Sequence, residues 1–365
     1  MTLQLKNHRT AAFVGCIAAS LTLVSGLQAQ SDQEPFLPSP VQVVSTVPPN
    51  GDVNPYGVAF VPTGFPKGGK AHVGDILVSN FNNNQNLQGT GTTIIDISPK
   101  SAKTVFFQGT APLGLSTALK VVKAGFVLVG NFPTADGTCA TAQAGSLLII
   151  DKNGNLVFNW SDPLMVQGPW DMTVTDGGNN VQVYISNALT GTISRLDIQL
   201  VPVIQVNSTA LIANGYMHRC DPAALVVAPT GSVYNAAIDT LYVASTEDNA
   251  VFAVPHASTA TSPNGTGTIL YQDNTHLHGP LGLAAAPNGD LLVANSDVIN
   301  PDPNQPSEIV EFTLGGVFVK EISVDPNQGG SFGLRATGGP GSTTAKLAAV
   351  DDNQSTLIIW TLPVD

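Results

Sequence analysis

Charge is scarce in this chain. Only 11% of its residues are charged, under half of the roughly one-quarter usual in globular proteins. Basic residues are the scarcer kind: Lys and Arg number 14 against 26 Asp and Glu, a formal net charge of −12. So few cations leave no basic stripe for a phosphate backbone or an anionic lipid surface, which argues against nucleic acid and membrane as partners. Cysteines number 3, too few for a disulfide-dense scaffold. No CxxC or HExxH string occurs, so the usual zinc-ribbon and zinc-protease signatures are missing. Beyond the N-terminus there is no apolar run of membrane length and no sustained 3.6-residue apolar rhythm, which excludes a helical fold.

The one long apolar run is residues 11–26 (AAFVGCIAASLTLVSG), behind Lys6 and Arg9 and ahead of Ala29. It is short for a membrane span, and its basic start and small cleavage residue read as a secretory signal over residues 1–29. The expected product is secreted or periplasmic, without membrane insertion, and monomeric. Its first residues, 30–40 (QSDQEPFLPSP), are polar and Pro-rich and read as a flexible lead-in. Removing the signal leaves twelve basic residues against twenty-six acidic ones, a net of −14.

Turn-formers are abundant instead, with Gly 36 and Pro 26. Residues 279–312 (GPLGLAAAPNGDLLVANSDVINPDPNQPSEIVEF) show the unit they build. It reads as a short apolar strand, a turn at Asn288-Gly289 that takes positive φ at both central positions, a second strand, a polar loop and a third strand. The same opening recurs as NPYGVAF, APLGLST, GPWDMTV, DPAALVV, GPLGLAA and GSFGLRA. Its proline-equivalent positions are 55, 112, 169, 222, 280 and 331, spaced by 57, 57, 53, 58 and 51. The second strands end in a polar residue each time: Asn80, Asn131, Asn187, Ser245, Asn295 and Asp351. A fourth strand follows in most units, least distinctly between Val201 and Ile212. The sixth unit stops short, and residues 41–46 (VQVVST) are a spare strand. The expectation is an all-β, six-bladed β-propeller over residues 41–365, with four antiparallel strands per blade and the N-terminal strand completing the last blade.

These openings and strand ends resemble the NHL-repeat group of six-bladed propellers, most visibly in PLGLAAAPNGDLLVAN and LYVASTEDNAVFAV. The period here is longer, and Asn stands where the group favours an acidic residue. Sugar-lactonase propellers have a similar shape and hold a divalent metal with Glu, Asn and Asp at the blade openings. The corresponding positions here are Tyr56, Leu113, Trp170, Ala223, Leu281 and Phe332, with Asp171 the single acid nearby.

If all blades start at one face, Asn80, Asn131, Asn187, Ser245, Asn295 and Asp351 lie around the channel mouth. They can bind a polar ligand there or cap their own turns. Three long loops share that face, residues 82–92, 132–145 and 296–307, and long loops on a rigid ring are where function is added. Cys139 and Cys220 fall on it too, and a disulfide is expected. His218, His276 and His278, and the acids of residues 296–308, are the candidates for a metal, although neither spacing matches a metal motif. Residues 329–333 (GGSFG) match G-x-S-x-G but lack the following helix of a nucleophile elbow. The chain therefore reads as a binding module for a protein, glycan or polar small molecule, with no cofactor required. The alternative is a metal-assisted hydrolase or lyase at the same mouth.

Overall fold

The computed structural model describes Leu37, residues 41–338 and residues 344–363; the expected signal and, Leu37 apart, the lead-in lie outside them. Six four-stranded antiparallel sheets are arranged as a ring, five of them running outward in chain order and the sixth taking its outermost strand from the start of the chain. The innermost strands are Val53–Phe60, Leu115–Val122, Pro169–Asp176, Pro229–Asn235, Pro280–Ala285 and Ser331–Thr337. Each lies beside the next, and the first and last adjoin, so the ring closes. Val41–Ser45 pairs antiparallel with Thr356–Pro363, in the register Val41↔Trp360 to Ser45↔Thr356. The last blade is thus completed by the start of the chain, and no long strand edge is left open there.

The strands are short and β-branched because most are covered on both faces. Ile76–Asn82 is buried along its whole length, and so is Thr240–Ser245. Both faces of a middle strand meet a neighbouring blade, so the period-2 alternation of a half-exposed sheet is lost. One apolar cluster fills each junction: Leu77, Ile94, Leu119 and Val129 between blades 1 and 2, for example, and Val58, Ile95, Val350 and Ile359 between blades 1 and 6. The outermost strands are wetter, as in Lys103–Gln108 and Phe318–Ser323.

The fourth strand of blade 3 is Gln205–Asn214. The blade-4 opening differs from the sequence reading. DPAALVV does not start the blade; Arg219–Asp221 and Leu225–Val227 form a separate two-stranded hairpin. Asp221 Oδ1 accepts from the Ala223 and Ala224 N–H groups at 2.9 and 3.1 Å and so turns the chain back. The blade begins at Pro229, which pairs with Ser245 as Pro169 does with Asn187. Residues 229–231 are Pro-Thr-Gly, and a Cβ at Gly231 would meet the Leu281 carbonyl at 2.4 Å. That close approach is the reason for the glycine in the Pro-x-Gly opening. The turn at Asn288-Gly289 also differs. Only Gly289 has positive φ, at 97°, and its N–H donates to the Ala286 carbonyl at 3.0 Å. Pro287 favours a type I turn followed by a left-handed glycine over the two-residue form.

In the lead-in, Leu37 is anchored. It is buried among Leu292, Leu334 and Trp360; its N–H donates to Glu311 Oε2 at 3.1 Å and its carbonyl accepts from Lys320 Nζ at 3.1 Å.

Candidate binding site at the channel mouth

The central channel is plugged by aromatic rings at the blade openings. Tyr56 stacks between Phe81 and Phe332, with ring centroids 4.6 and 4.4 Å away. Trp170 meets Tyr56, Phe81 and Phe132 edge-on at 5.8, 5.4 and 5.7 Å. Tyr56 and Trp170 therefore pack together within one cluster, to which Leu225, Val226 and Leu281 also belong. Above the plug lies a cavity of about 650 Å³. Tyr56 and Phe332 form its floor. Its walls come from Asn54 and the 82–88 loop, from residues 296–298, from Gln328 and Gly329, from Asp352, Asn353 and Ser355, and from Ala223 and Ala224 of the hairpin.

Two of the three long loops thus supply the walls, and the third is fastened to the roof. Cys139, in a short 3-10 turn, is disulfide-bonded to Cys220 of the hairpin with a Cα–Cα distance of 5.7 Å. Gln88 Nε2 donates to the Ala223 carbonyl at 2.9 Å, joining loop and hairpin across the mouth.

The six strand-end residues sit one step below this surface, and none lines the cavity. All are buried, and their hydrogen bonds run to neighbouring strands and loops. Asn80 donates to the Thr46 carbonyl and Thr93 Oγ1 at 3.2 and 3.3 Å. Asn131 accepts from Gly114 N–H at 2.9 Å, and Asn187 from Gln167 N–H at 2.9 Å. Ser245 donates to Asp248 at 2.5 Å, and Asn295 to the His276 carbonyl at 2.7 Å. Asp351 accepts from Gln354 N–H at 3.2 Å. These residues cap turns and fasten loops. The lining residues lie just beyond several of them, as Asn82 beyond Asn80, Ser296 and Asp297 beyond Asn295, and Asp352 beyond Asp351. The strand-end positions therefore stop one or two residues short of the surface that the loops carry onward.

The polar lining is mostly amide. With its amide nitrogen turned toward Asp352, Asn54 donates to that carboxylate and accepts from Asn82 Nδ2 at 2.8 Å. Its backbone has φ of 63°, a left-handed conformation that Asn tolerates. Burial, and then the charge of Asp351, pushes Asp352 up to about 8. The Asp297 carboxylate is buried; Oδ2 accepts from the Ser307 and Gly329 N–H groups at 2.9 and 2.8 Å, and the neighbouring Glu308 carboxyl hydrogen-bonds to it. Asn82 Oδ1 and Gln88 Oε1 are buried acceptors without a donor among the described residues. Behind Asp297, burial and the Asp297 charge push Glu308 up to about 8. His278 Nε2 lies 3.8 Å from Glu308 and its Nδ1 contacts the Asn300 carbonyl.

Neither candidate metal set assembles. His218 is tied to the Tyr216 carbonyl at 3.1 Å, and His276 to Asp273 at 2.9 Å while stacked on Phe318. In the 296–308 loop Asp302 turns back on Asn304, whereas Asp297 and Glu308 face inward. Among the described residues no three His, Cys, Asp or Glu groups converge at the mouth, and aromatic rings hold the channel where a lactonase-type site carries oxygens. Ser331 of the G-x-S-x-G string is buried at the start of an innermost strand. Asp171 lies below the plug, fully buried, with its Oδ1 3.4 Å from Arg335.

Among the described residues no helix is long and apolar enough to cross a membrane. No protein-family profile matches the sequence, and no curated protein sequence matches it. Solved structures do resemble the fold. A streptogramin B lyase superposes at TM-score 0.50 and 12% identity, over 89% of this chain and 88% of that one. A protein described as a candidate gluconolactonase superposes at 0.51 and 11%, over 90% and 93%. A chain of the mitotic checkpoint complex superposes at 0.52 and 8%, over 91% and 96%. Proteins of such different work share this ring, so the likeness carries architecture and no activity: the chain is a six-bladed β-propeller.

Proposed function

We propose that this chain is an exported, monomeric propeller of NHL-like type that binds a hydroxyl-rich ligand, such as a sugar, polyol or glycan end, at its mouth. The observation that carries this reading is the set of buried acceptors on the cavity wall. Asn82 Oδ1 and Gln88 Oε1 find no donor among the described residues. A buried acceptor left unpaired costs about 1–3 kcal/mol. A ligand that presents several O–H or N–H donors offsets that cost, and an anionic ligand does not. The floor of Tyr56 and Phe332 offers an apolar face, and the amides around it supply orientation, the usual division of labour in a small-molecule site. The acidic balance of the chain disfavours nucleic acid and anionic lipid as partners.

Thermal-shift and calorimetric titration with a panel of monosaccharides, disaccharides and polyols tests this. At least one should stabilise the protein. Its affinity should fall about tenfold or more in Asn82→Ala and in Asp297→Asn, a loss of about 1.4 kcal/mol or more. A panel that leaves the melting temperature unmoved would overturn the reading.

A second reading keeps chemistry at the same mouth. Asp352, held up to about 8, is a neutral acid at neutral pH and would donate a proton in a hydrolase or lyase. Turnover of lactones that Asp352→Asn abolishes without weakening binding would favour it over the binding module.

A further inference from the structure

At the end of blade 1 away from the mouth, one His and two Asp side chains converge. His72, Asp75 and Asp96 each bring a ligand atom within 4.8 Å of the others. Asp75 immediately precedes the second strand, Ile76–Asn82, and Asp96 lies near the end of the third, about 20 Å along the strands from the mouth at the usual rise per residue. Both carboxylates are buried, at 4% and 5% exposure, whereas the His72 side chain is open to solvent.

The turn that carries two of the three groups is rigidly held. Asp75 N–H donates to the His72 carbonyl at 3.0 Å, and the His72 N–H returns to Asp75 Oδ2 at 2.7 Å. Val61 clasps the same turn from the preceding strand, donating to the Asp75 carbonyl at 2.8 Å and accepting from Gly74 at 3.0 Å. Gly74 has φ of 92°, a conformation that suits glycine. Asp96 is placed by the sheet itself, paired with Leu77 on one side and Thr104 on the other.

Two observations point to a ligand. Asp96 Oδ1 is buried with no donor in a fixed position among the described residues; the Asp75 carboxyl stands beside it and can pair with it only through a shared proton. The two buried carboxylates also lie side by side, and among the described ion pairs their only cation is His72, at 3.4 Å from Asp75. Two carboxylates in one dry site repel unless a proton or a cation lies between them. One imidazole nitrogen with two carboxylate oxygens, open to water on the imidazole side, is a donor set for zinc or a similar first-row divalent ion.

We propose that His72, Asp75 and Asp96 form a divalent-cation site that fastens the 62–75 segment to blade 1, separate from the mouth. The ion cancels the charge of the two carboxylates and takes the place of a proton shared between them.

The test uses the full-length protein after dialysis against chelator. Calorimetric titration with Zn²⁺ should show one equivalent bound, Co²⁺ should develop visible d–d absorption, and Zn²⁺ should raise the melting temperature. His72→Ala should weaken Zn²⁺ at least about tenfold. Asp96→Asn removes the carboxylate repulsion and so should fold at least as well without metal, yet lose the Zn²⁺-dependent rise. The sugar response at the mouth should be unchanged in both variants. Zn²⁺ uptake that survives both substitutions would overturn the proposal. So would the absence of uptake by the unaltered protein, which would mean that the carboxyl pair shares a proton instead.

Discussion

Buried and half-buried carboxyl groups shape this protein's response to pH. Burial raises Asp352 and Glu308 to about 8 each, helped by the neighbouring charges of Asp351 and Asp297. Both are ordinary carboxyls near 4 in the unfolded chain. The stability contributed by their neutral forms is therefore fully present below about pH 4 and is lost as the pH rises through about 8. Asp273 works in the opposite sense. Burial opposes its ionisation, but hydrogen bonds from His276 and Tyr271 outweigh that and lower it to about 2. Its contribution is present above about pH 4 and lost as the pH falls through about 2. Thermal melts should thus show greatest stability at mildly acidic pH, with the melting temperature falling between pH 5 and 8.5. In Glu308→Gln that fall should be shallower, because one of the two groups no longer ionises. A Glu308→Gln slope equal to the parent's would show that Glu308 is not held neutral. None of this was legible from residue types, since Asn295 and Glu308 meet only when two strands 13 positions apart pair.

At the scale of elements, the hairpin of Arg219–Asp221 and Leu225–Val227 is the piece the repeat pattern misassigned. DPAALVV has the composition of a blade opening, and Leu225 and Val226 do reach the central cluster. It fails as a blade strand because Pro-Thr-Gly at 229–231 supplies the glycine that the close approach of Leu281 requires. The cue was present in the sequence, but two candidate openings stood seven residues apart, and local pattern does not choose between them. The disulfide was legible more directly, because two cysteines on one face of a ring leave a single pairing. It closes a loop with sequence separation 81 and pins the hairpin over the cavity. Cys139→Ser with Cys220→Ser should destabilise the protein by about 2–4 kcal/mol, seen as a lower melting temperature that reductant does not lower further. The double variant should also bind the mouth ligand more weakly, because Ala223 and Ala224 would no longer be held against Gln88. Unchanged stability would mean that packing of Leu225 and Val226 alone holds the hairpin.

For the molecule as a whole, the ring depends on its closing strand. Val41–Ser45 covers the outer edge of Thr356–Pro363, and just past it Thr46 N–H donates to the Ser355 carbonyl while the Thr46 carbonyl accepts from Asn80. One short segment therefore ties blade 6 to blade 1. A chain lacking residues 1–46 would present an unpaired strand edge and should melt at lower temperature and over a broader range, with oligomers detectable by light scattering. A truncated chain that stays monodisperse and melts like the parent would show that the blade-to-blade cores suffice without closure.

Six repeated openings, β-branched strands and a spare strand at the start were enough for the sequence by itself to determine the ring, its blade number and its means of closure, because strand periodicity and turn chemistry act over a few residues and recur. The composition of the mouth followed only from tertiary structure. Whether an Asn near a strand end caps a loop or faces a ligand turns on how the loops beyond it fold over the ring. Whether His72, Asp75 and Asp96 meet turns on which strands lie side by side. Both are decided by long-range packing of whole blades, which no local stretch of this chain encodes.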